Sequence, residues 1–408
     1  MSRRFLSLLV ATLALALAAS IAPSRPPVLA ASPTPTPVMP MPAPPYTFSF
    51  NLWQATKAEK TTENVIISPL SVQLALGMLY NGASGETQTA MAQALAVTGV
   101  PVATVNQQAQ TTLQRLNQQT EAGVQLTVAN SLWLREGIPV QPDFVQTSQS
   151  FFRAEVQTLP FDNQALGAIN GWANSQTQGK IPRILDEIDA NGLAYLLNAV
   201  YFRGDWTRAF DAQLTQPQPF TVGNGQTIQH PLMEQSGEMA YLETEHFQAV
   251  QLPYGKSGSL KMTIMLPTQS LTALHEQVGA EAWAAWSTQF QSREGRLRLP
   301  RFQLETTLDL QPILARLGMG VAFTDLADFS ALTPEPAVIS QAIQKTFMDV
   351  NETGTEAAAV TAIGITRTSI RVPTDRFEMI VNRPFFLMIT ATDTDEILFM
   401  GDVLNPAG

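Results

Sequence analysis

Cysteine is absent from the 408 residues and histidine occurs only three times. Without cysteine there is no disulfide framework, no thiolate metal ligand and no lipid anchor on an N-terminal cysteine, although the cellular compartment stays open. None of His230, His246 and His275 stands in a zinc-binding pattern, since residues 275–279 (HEQVG) lack the second histidine of HExxH. The sequence therefore predicts neither a metal site nor a cofactor.

The short motifs of hydrolytic catalysis and nucleotide binding are also missing. Residues 82–86 (GASGE) lack the final glycine of the GxSxG nucleophile turn. No GxGxxG precedes a predicted helix, and Gly179 and Lys180 lack the earlier glycine of a phosphate-binding GxxxxGK[ST] loop. We therefore expect that the protein is not an enzyme, and a hydrolase is its remotest alternative.

Positive charge is scarce in the body of the chain. The formal net charge is −10, and residues 1–45 contain three arginines and no acid, so the remainder carries −13. Nucleic acids and anionic membranes would release no counterions to such a surface, and we expect neither as a partner.

Residues 1–30 have the layout of a signal peptide. Arg3 and Arg4 precede an apolar run over residues 5–19, and Ala16-Leu17-Ala18 is a candidate cleavage site. The alternative is an uncleaved membrane anchor, but the run has about 15 residues where a spanning helix needs about 20. We therefore expect a secreted or periplasmic protein.

Residues 31–45 form a proline-rich linker that contains the sequence SPTPTPVMPMPAPP. Proline fixes φ and removes backbone donors, so this segment is neither a helix nor a central strand. No second linker, repeat or charge block follows, which predicts one domain over residues 46–408.

Hydrophobic periodicity in the body predicts helices that concentrate early and strands that concentrate late. The predicted helices cover residues 71–80, 87–95, 105–120, 165–176 and 271–290. The predicted strands cover residues 124–134, 193–203, 249–252, 260–266, 295–303, 377–381, 385–392 and 398–403. This distribution favours an α+β fold with large, mostly antiparallel sheets.

Residues 352–370 (ETGTEAAAVTAIGITRTSI) fit no regular element well. Thr355 could cap a helix, but the β-branched residues and glycine that follow disfavour it. As a β-strand the segment would have one face of small or apolar, uncharged side chains and a second face that meets solvent. The first face comprises Thr355, Ala357, Ala359, Thr361, Ile363 and Ile365. The segment is therefore either an alanine-rich surface helix or an exposed loop that can become a central strand.

Several motifs occur in the order found in the serpin family, and together they make residues 46–406 resemble a serpin. They are residues 64–71 (NVIISPLS), 81–87 (NGASGET), 197–206 (LNAVYFRGDW), 352–359 (ETGTEAAA), and the C-terminal pair 383–385 (RPF) and 399–403 (FMGDV). The resemblance implies a serpin fold with three β-sheets, about nine helices and an exposed reactive-centre loop.

The function that the resemblance implies is suicide inhibition of a serine protease. The protease cleaves the loop and becomes attached as an acyl ester, the loop enters the large sheet, and deacylation stalls. The inward face of the segment has no charge whose burial would slow insertion, which favours an active inhibitor. The alternative is a non-inhibitory serpin-fold protein that acts in storage, transport or chaperoning.

The resemblance also implies roles for individual residues. Trp206 corresponds to the breach, where the large sheet opens towards the loop. The hinge, from which the loop inserts, comprises Glu352, Gly354, Thr355, Glu356, Ala357, Ala358 and Ala359.

Two positions of the reactive bond are possible, and they differ in the assumed length of the loop. The family's usual loop length, counted from Glu352, puts the specificity residue at Thr368 and the cleaved bond at Thr368–Ser369, which suits elastase-like or subtilisin-like proteases. A loop shorter by one residue selects Arg367 and cleavage at Arg367–Thr368, which suits trypsin-like proteases.

The family's shutter beneath the large sheet pairs serine and asparagine side chains with a histidine. Here Ser68, Ser71 and Asn198 match the first two types, and Gln344 occupies the histidine position. Glutamine both donates and accepts, so the resemblance implies a network without a titrating group. The region of the family's heparin-binding helix, 105–120, has one basic residue, Arg115, and we expect no heparin-type polyanion partner and a monomer.

Overall fold

The computed structural model describes residues 46–119, 121, 123–355 and 376–408. Several predictions fall outside the described residues and stay predictions: the signal peptide, the linker, the hinge residues Glu356, Ala357, Ala358 and Ala359, and the reactive-bond residues Arg367, Thr368 and Ser369.

Nine α-helices occur in the described residues, six of them before residue 177. They are α1 (Thr47–Glu59), α2 (Pro69–Tyr80), α3 (Gly85–Ala94), α4 (Val102–Gln119), α5 (Pro142–Phe152), α6 (Asn163–Gln176), α7 (Leu271–His275), α8 (Ala280–Ser287) and α9 (Leu310–Leu314). Single turns of helix cover Ala212–Leu214, Ala315–Met319 and Gly320–Phe323.

Helix α2 is buried on nearly every face, as its apolar sequence requires. It begins at Pro69 rather than at the predicted Ser71, because the fixed φ of proline suits the first helical position. The predicted helix over 271–290 is interrupted: α7 ends at His275, and α8 begins only after the extended Gly279.

Strands dominate the second half of the described residues. They are β1 (Val65–Ile67), β2 (Val124–Arg135), β3 (Glu155–Leu159), β4 (Ala194–Asp205), β5 (Gln216–Thr221), β6 (Thr227–Glu243), β7 (Phe247–Tyr254), β8 (Leu260–Pro267), β9 (Gln291–Pro300), β10 (Phe302–Asp309), β11 (Gln341–Val350), β12 (Gly354–Thr355), β13 (Phe377–Ile380), β14 (Phe385–Ala391) and β15 (Ile397–Val403). The predicted strand over 295–303 is wrong as one element, because Pro300 ends β9 and β10 then joins the other sheet.

The described strands form two hydrogen-bonded sheets. A nine-stranded sheet has the order β1-β15-β14-β8-β7-β6-β9-β13 with β5 on β6, and a six-stranded sheet has the order β10-β11-β12-β4-β2-β3. The α+β class is confirmed. The sequence led us to expect three sheets, but the described strands form two. The 17-residue strand β6 pairs with β5 at its start and with β7 at its end, and it thereby joins two groups of strands into one sheet.

The six-stranded sheet is covered on both faces. On one face, Leu196, Val200 and Phe202 of β4 join the main core with helix α2. On the other face, Tyr195 and Leu197 of β4 belong to a smaller core that includes residues of α6. Strand β4 is therefore buried along its length and fixes the middle of the sheet.

No helix in the described part of the chain is long and apolar enough to cross a membrane.

Candidate functional site

The centre of the six-stranded sheet opens at one end. Strands β4 and β11 are parallel neighbours from the pair Tyr195–Gln341 to the pair Tyr201–Phe347. Beyond Phe347 they separate, and β12 lies between them: Thr355 is opposite Gly204 of β4 and Val350 of β11. Because β12 is antiparallel to both neighbours, the chain enters the sheet in the direction that a further inserted strand would take.

Gly354 lies against the backbone of β4, opposite Asp205. A Cβ atom at this position would lie 2.0 Å from the carbonyl oxygen of Gly204, which is backbone and cannot move aside cheaply. The path of the chain at this point therefore requires glycine.

Thr355 occupies an aromatic pocket at the entrance. Its side chain is 0% exposed, and its Oγ1 lies 2.7 Å from the hydroxyl of Tyr254. The ring of Tyr254 stacks on Trp206 with centroids 4.4 Å apart, and burial raises its pKa well above the ordinary value, so the phenol stays neutral. Thr355 is therefore fully buried, and the neutral hydroxyl of Tyr254 is its hydrogen-bond partner.

Trp206 also holds the backbone that leads into the hinge. Its indole Nε1 donates to the carbonyl oxygen of Asn351 at 2.9 Å, and its backbone N–H donates to that of Thr353 at 2.8 Å. The structure thus places Trp206 against the backbone on either side of Glu352, the first residue of the predicted hinge.

Glu352, the first residue of the predicted hinge, is anchored by its side chain. The side chain is 9% exposed and forms an ion pair with Arg301, whose Nε donates to Oε1 at 2.6 Å. The hydroxyl of Thr215 donates to the same oxygen, and the backbone N–H of Phe210 donates to the Glu352 carbonyl at 2.8 Å. The buried carboxylate is therefore compensated, and it fixes the point from which the loop departs.

A buried polar cluster joins β4, β11 and α2 below the entrance; we call Ser68, Ser71, Asn130, Asn198 and Gln344 the shutter cluster. Gln344 Nε2 donates to Asn198 Oδ1 at 2.7 Å and to the Ser68 carbonyl at 3.0 Å, while its Oε1 accepts from the Ser68 N–H at 3.0 Å. Asn198 Nδ2 donates to Ser71 Oγ and, at 2.6 Å, to Asn130 Oδ1. The four predicted residues meet in one network that contains no titrating side chain.

Sequence reasoning did not single out Asn130, Tyr254 or Arg301, nor Thr215, which also bonds to Glu352. Asn130 lies opposite Asn198 in the β2–β4 register, and Tyr254 and Arg301 come from the other sheet and from the β9–β10 junction. The one signal for Asn130 was its place in the predicted strand over residues 124–134, which became β2. The others meet the predicted hinge through contacts that no local pattern encodes.

The single basic residue of α4 is engaged in an ion pair. Arg115 pairs with Glu396, the residue just before β15, and Thr112 of the same helix lies against that carboxylate. Desolvation by burial raises the pKa of Glu396, and the attraction of Arg115 opposes the rise. The helix therefore offers a polyanion no free cation.

The comparisons with known proteins agree on one family. A family model described as Serpin (serine protease inhibitor) matches residues 45–406. This chain belongs to the serpin family. It is 34% identical to human Serpin B8 over 372 residues, which cover 88% of this chain and 98% of that protein, and 31% identical to neuroserpin of Gallus gallus over 377 residues, which cover 88% and 90%.

Solved serpin structures also match closely. Tengpin, a thermophilic serpin in its native state, matches with a TM-score of 0.82 at 32% identity over 88% of this chain and 92% of that one. Thyroxine-binding globulin in complex with thyroxine matches with a TM-score of 0.80 at 26% identity over 89% of this chain and 98% of that one. The predicted serpin fold is confirmed, and because serpins are generally protease inhibitors, the prediction that the chain is not an enzyme is confirmed as well.

Proposed function

We propose that the protein is an exported inhibitor of serine proteases that traps its target by inserting its cleaved loop between β4 and β11. The observation that carries the proposal is the position of Gly354 and Thr355, which already lie between these two strands. Insertion would replace the direct parallel pairing of β4 with β11 by two antiparallel pairings, which are slightly more stable per residue.

The register of β12 can be extended into the loop. Each residue further along the loop moves one residue back along both β4 and β11. On this basis Thr361 would lie between Asn198 and Gln344, and Ile363 between Leu196 and Ala342. A hydroxyl would thus meet the two amides of the shutter cluster, and an apolar side chain would meet apolar neighbours.

The opposite face of the inserted segment would lie towards α6 in the middle of the sheet, rather than in solvent as its sequence suggested. The β4 positions on that face, including Leu197 and Ala199, are fully buried and pack with residues of α6. Ala358, Val360, Ala362 and Gly364 occupy this part of the face, and the small size of all but Val360 would limit overpacking beneath the helix.

The inhibitory chemistry would be supplied by the target. Its serine attacks the loop and forms an acyl ester, and insertion of about fourteen residues at about 3.3 Å each would carry the attached protease about 45 Å. Distortion of the protease removes its oxyanion hole, and hydrolysis of the ester stalls.

The target would be set by the reactive bond. Cleavage at Arg367–Thr368 would select trypsin-like proteases, and cleavage at Thr368–Ser369 elastase-like or subtilisin-like ones. Incubation with trypsin, elastase and subtilisin, followed by denaturing electrophoresis, tests the proposal. An SDS-stable complex with one of them supports it, and complete cleavage without any complex contradicts it. The mass of the released C-terminal fragment identifies the bond.

A second candidate, carriage of a small ligand, is favoured by one cavity of about 670 Å³. Its wall includes Lys57, His275, Arg383 and Asp402, and the similar thyroxine-binding globulin holds thyroxine. A loop that is cleaved without complex formation and without a gain in heat resistance would favour this candidate over inhibition.

A further inference from the structure

Four asparagine–glycine pairs occur in the chain, at 81–82, 170–171, 191–192 and 224–225, and all four lie in the described residues. An asparagine side chain can react with the backbone nitrogen of the next residue, and a glycine leaves that nitrogen open to approach because it has no Cβ. The four pairs differ in how firmly the fold holds them, and this difference selects one of them.

Two of the pairs are fixed through their side chains. Asn81 exchanges two hydrogen bonds of 2.8 Å with the side chain of Asn106, and Gly82 is buried. Asn170 lies inside α6, and its side chain forms three hydrogen bonds to the backbone of residues 184–185, at 2.8, 2.9 and 3.0 Å. A turn of either amide towards the next backbone nitrogen would break these contacts.

The pair at 191–192 lies in the loop before β4 and is held through its backbone. The N–H groups of Asn191 and Gly192 donate to the carboxylate and to the carbonyl oxygen of Asp189, at 2.8 and 2.9 Å. The carbonyl oxygen of Asn191 accepts from Arg135 at 3.2 Å, and Gly192 is buried. Local opening of this segment therefore breaks several contacts at once.

The pair at 224–225 lies at the tip of the hairpin between β5 and β6. Asn224 and Gly225 are exposed, and so are their neighbours Gly223 and Gln226. Gly225 has a φ of +87°, and a Cβ atom there would meet no atom within 4 Å. Of the four pairs, this one is therefore the most open to water and the least enclosed by other parts of the chain.

The Asn224 side chain lies beside the backbone with which it would react. Its Oδ1 accepts from the N–H of Gln226 at 2.9 Å, which keeps the amide next to Gly225 and polarises its carbonyl. The N–H of Gly225 donates to the carbonyl oxygen of Val222 at 2.8 Å, so this bond must open before the nitrogen reacts. Opening costs little free energy in an exposed turn and much more in a buried segment.

We propose that Asn224 is a deamidation site, at which the folded chain reacts faster than at the other three pairs. The Gly225 nitrogen loses its proton to hydroxide and bonds to Cγ of Asn224, and the side-chain nitrogen takes up a proton and leaves as ammonia. Water then opens the resulting succinimide at either carbonyl carbon, which gives aspartate or isoaspartate. The reaction consumes water alone and does not depend on protease inhibition.

Deamidation would change a wall of the cavity of about 670 Å³. Asn224 lines this cavity together with Lys57 and Arg383, so either product adds a carboxylate to a wall that contains cations. Isoaspartate also lengthens the main chain of the turn, whose Gly223 N–H donates to the carbonyl oxygen of Leu404 at 2.9 Å. The reacted chain is therefore a distinct form, more acidic by one charge.

Incubation of the folded full chain in mildly alkaline buffer, followed by digestion and peptide mass spectrometry, tests the assignment. The peptide that contains Asn224 should gain the mass difference between an amide and an acid and should separate into two products. We expect it to react about tenfold faster or more than the peptides with Asn81, Asn170 and Asn191, because each of those must open a more firmly held segment. The rate should rise with pH, since the attacking nitrogen is deprotonated.

Two controls separate the effect of the fold from that of the sequence. In the chain unfolded in urea, all four pairs should react at similar rates, because the contacts that protect three of them are lost. Among variants of the folded chain, Asn224→Ser should abolish the more acidic form on ion exchange, and the matched exposed change Asn191→Ser should leave it unaltered.

Two results would overturn the proposal. The first is an unchanged Asn224 peptide in the folded chain after an incubation that converts the same peptide in urea. The second is equal reaction of Asn191 and Asn224 in the folded chain, because the fold would then not select between them.

Discussion

Thr355→Arg should convert the inhibitor into a substrate of its target protease. Thr355 is 0% exposed, and its hydroxyl lies 2.7 Å from that of Tyr254, whose ring stacks on Trp206. An arginine there would be buried without a carboxylate, at a cost of about 3–5 kcal/mol. If this cost falls on the start of insertion, insertion slows about 100-fold or more, since each 1.4 kcal/mol is about tenfold in rate.

The assay is the stoichiometry of inhibition, the number of inhibitor molecules consumed for each protease molecule trapped. It equals one plus the ratio of the rate of ester hydrolysis to the rate of insertion, so slower insertion raises it in proportion. Residual protease activity after titration with the variant gives this number, and circular dichroism checks that the variant is folded.

Glu356→Arg is the matched control because it places the same side chain one residue further on. Adjacent residues of a strand point to opposite faces, and the extended register would put this arginine beside Arg203 and Asp349 near the open end of the sheet. We expect the control to stay an inhibitor. An unchanged stoichiometry for Thr355→Arg, or an equal rise for both variants, would refute the reasoning.

Three further changes test other parts of the account. Thr361→Val removes the hydroxyl that the extended register places in the shutter cluster, so the melting temperature should fall in the loop-cleaved form and stay unchanged in the intact form. Asp402→Asn should lower the free energy of unfolding by about 3–5 kcal/mol in urea titrations, because Asp402 is fully buried and pairs with Lys57 at 3.0 Å. Burial raises the pKa of Glu396 above its ordinary 4.5, so the folded chain holds this proton more tightly than the unfolded chain. Stability should therefore fall as the pH rises from 4.5 through the raised pKa, and urea titrations of Glu396→Gln should show a smaller fall.

The sequence predicted strands correctly where a single hydrophobic pattern dominates a segment. The alternation in 124–134 and the apolar run in 193–203 became β2 and β4, with bounds within about two residues. Strand β11 was missed, because polar Gln344 and Thr346 occupy inward positions and hide the alternation. These polar residues bond to Ser68 and Ile66, so the feature that concealed the strand is also what joins it to β1 and α2.

Parts of the candidate site that consist of a recognisable local sequence were predictable. Contacts between distant parts of the chain were not. The family resemblance marked the predicted hinge, and the glutamine at position 344 pointed to a network without histidine. The contacts of Tyr254 with Thr355 and of Arg301 with Glu352 depend on how the two sheets pack. No pattern within about twenty residues of either partner encodes that arrangement.

The most direct test of the central claim is the melting of the chain before and after a single cut in its loop. Mild trypsin or elastase treatment gives the cut form, and mass spectrometry confirms one cleavage after residue 366. If residues 355–366 become a strand between β4 and β11, the cut protein should unfold at a clearly higher temperature, and those residues should resist further digestion. An unchanged melting temperature with continued digestion of the segment would contradict insertion.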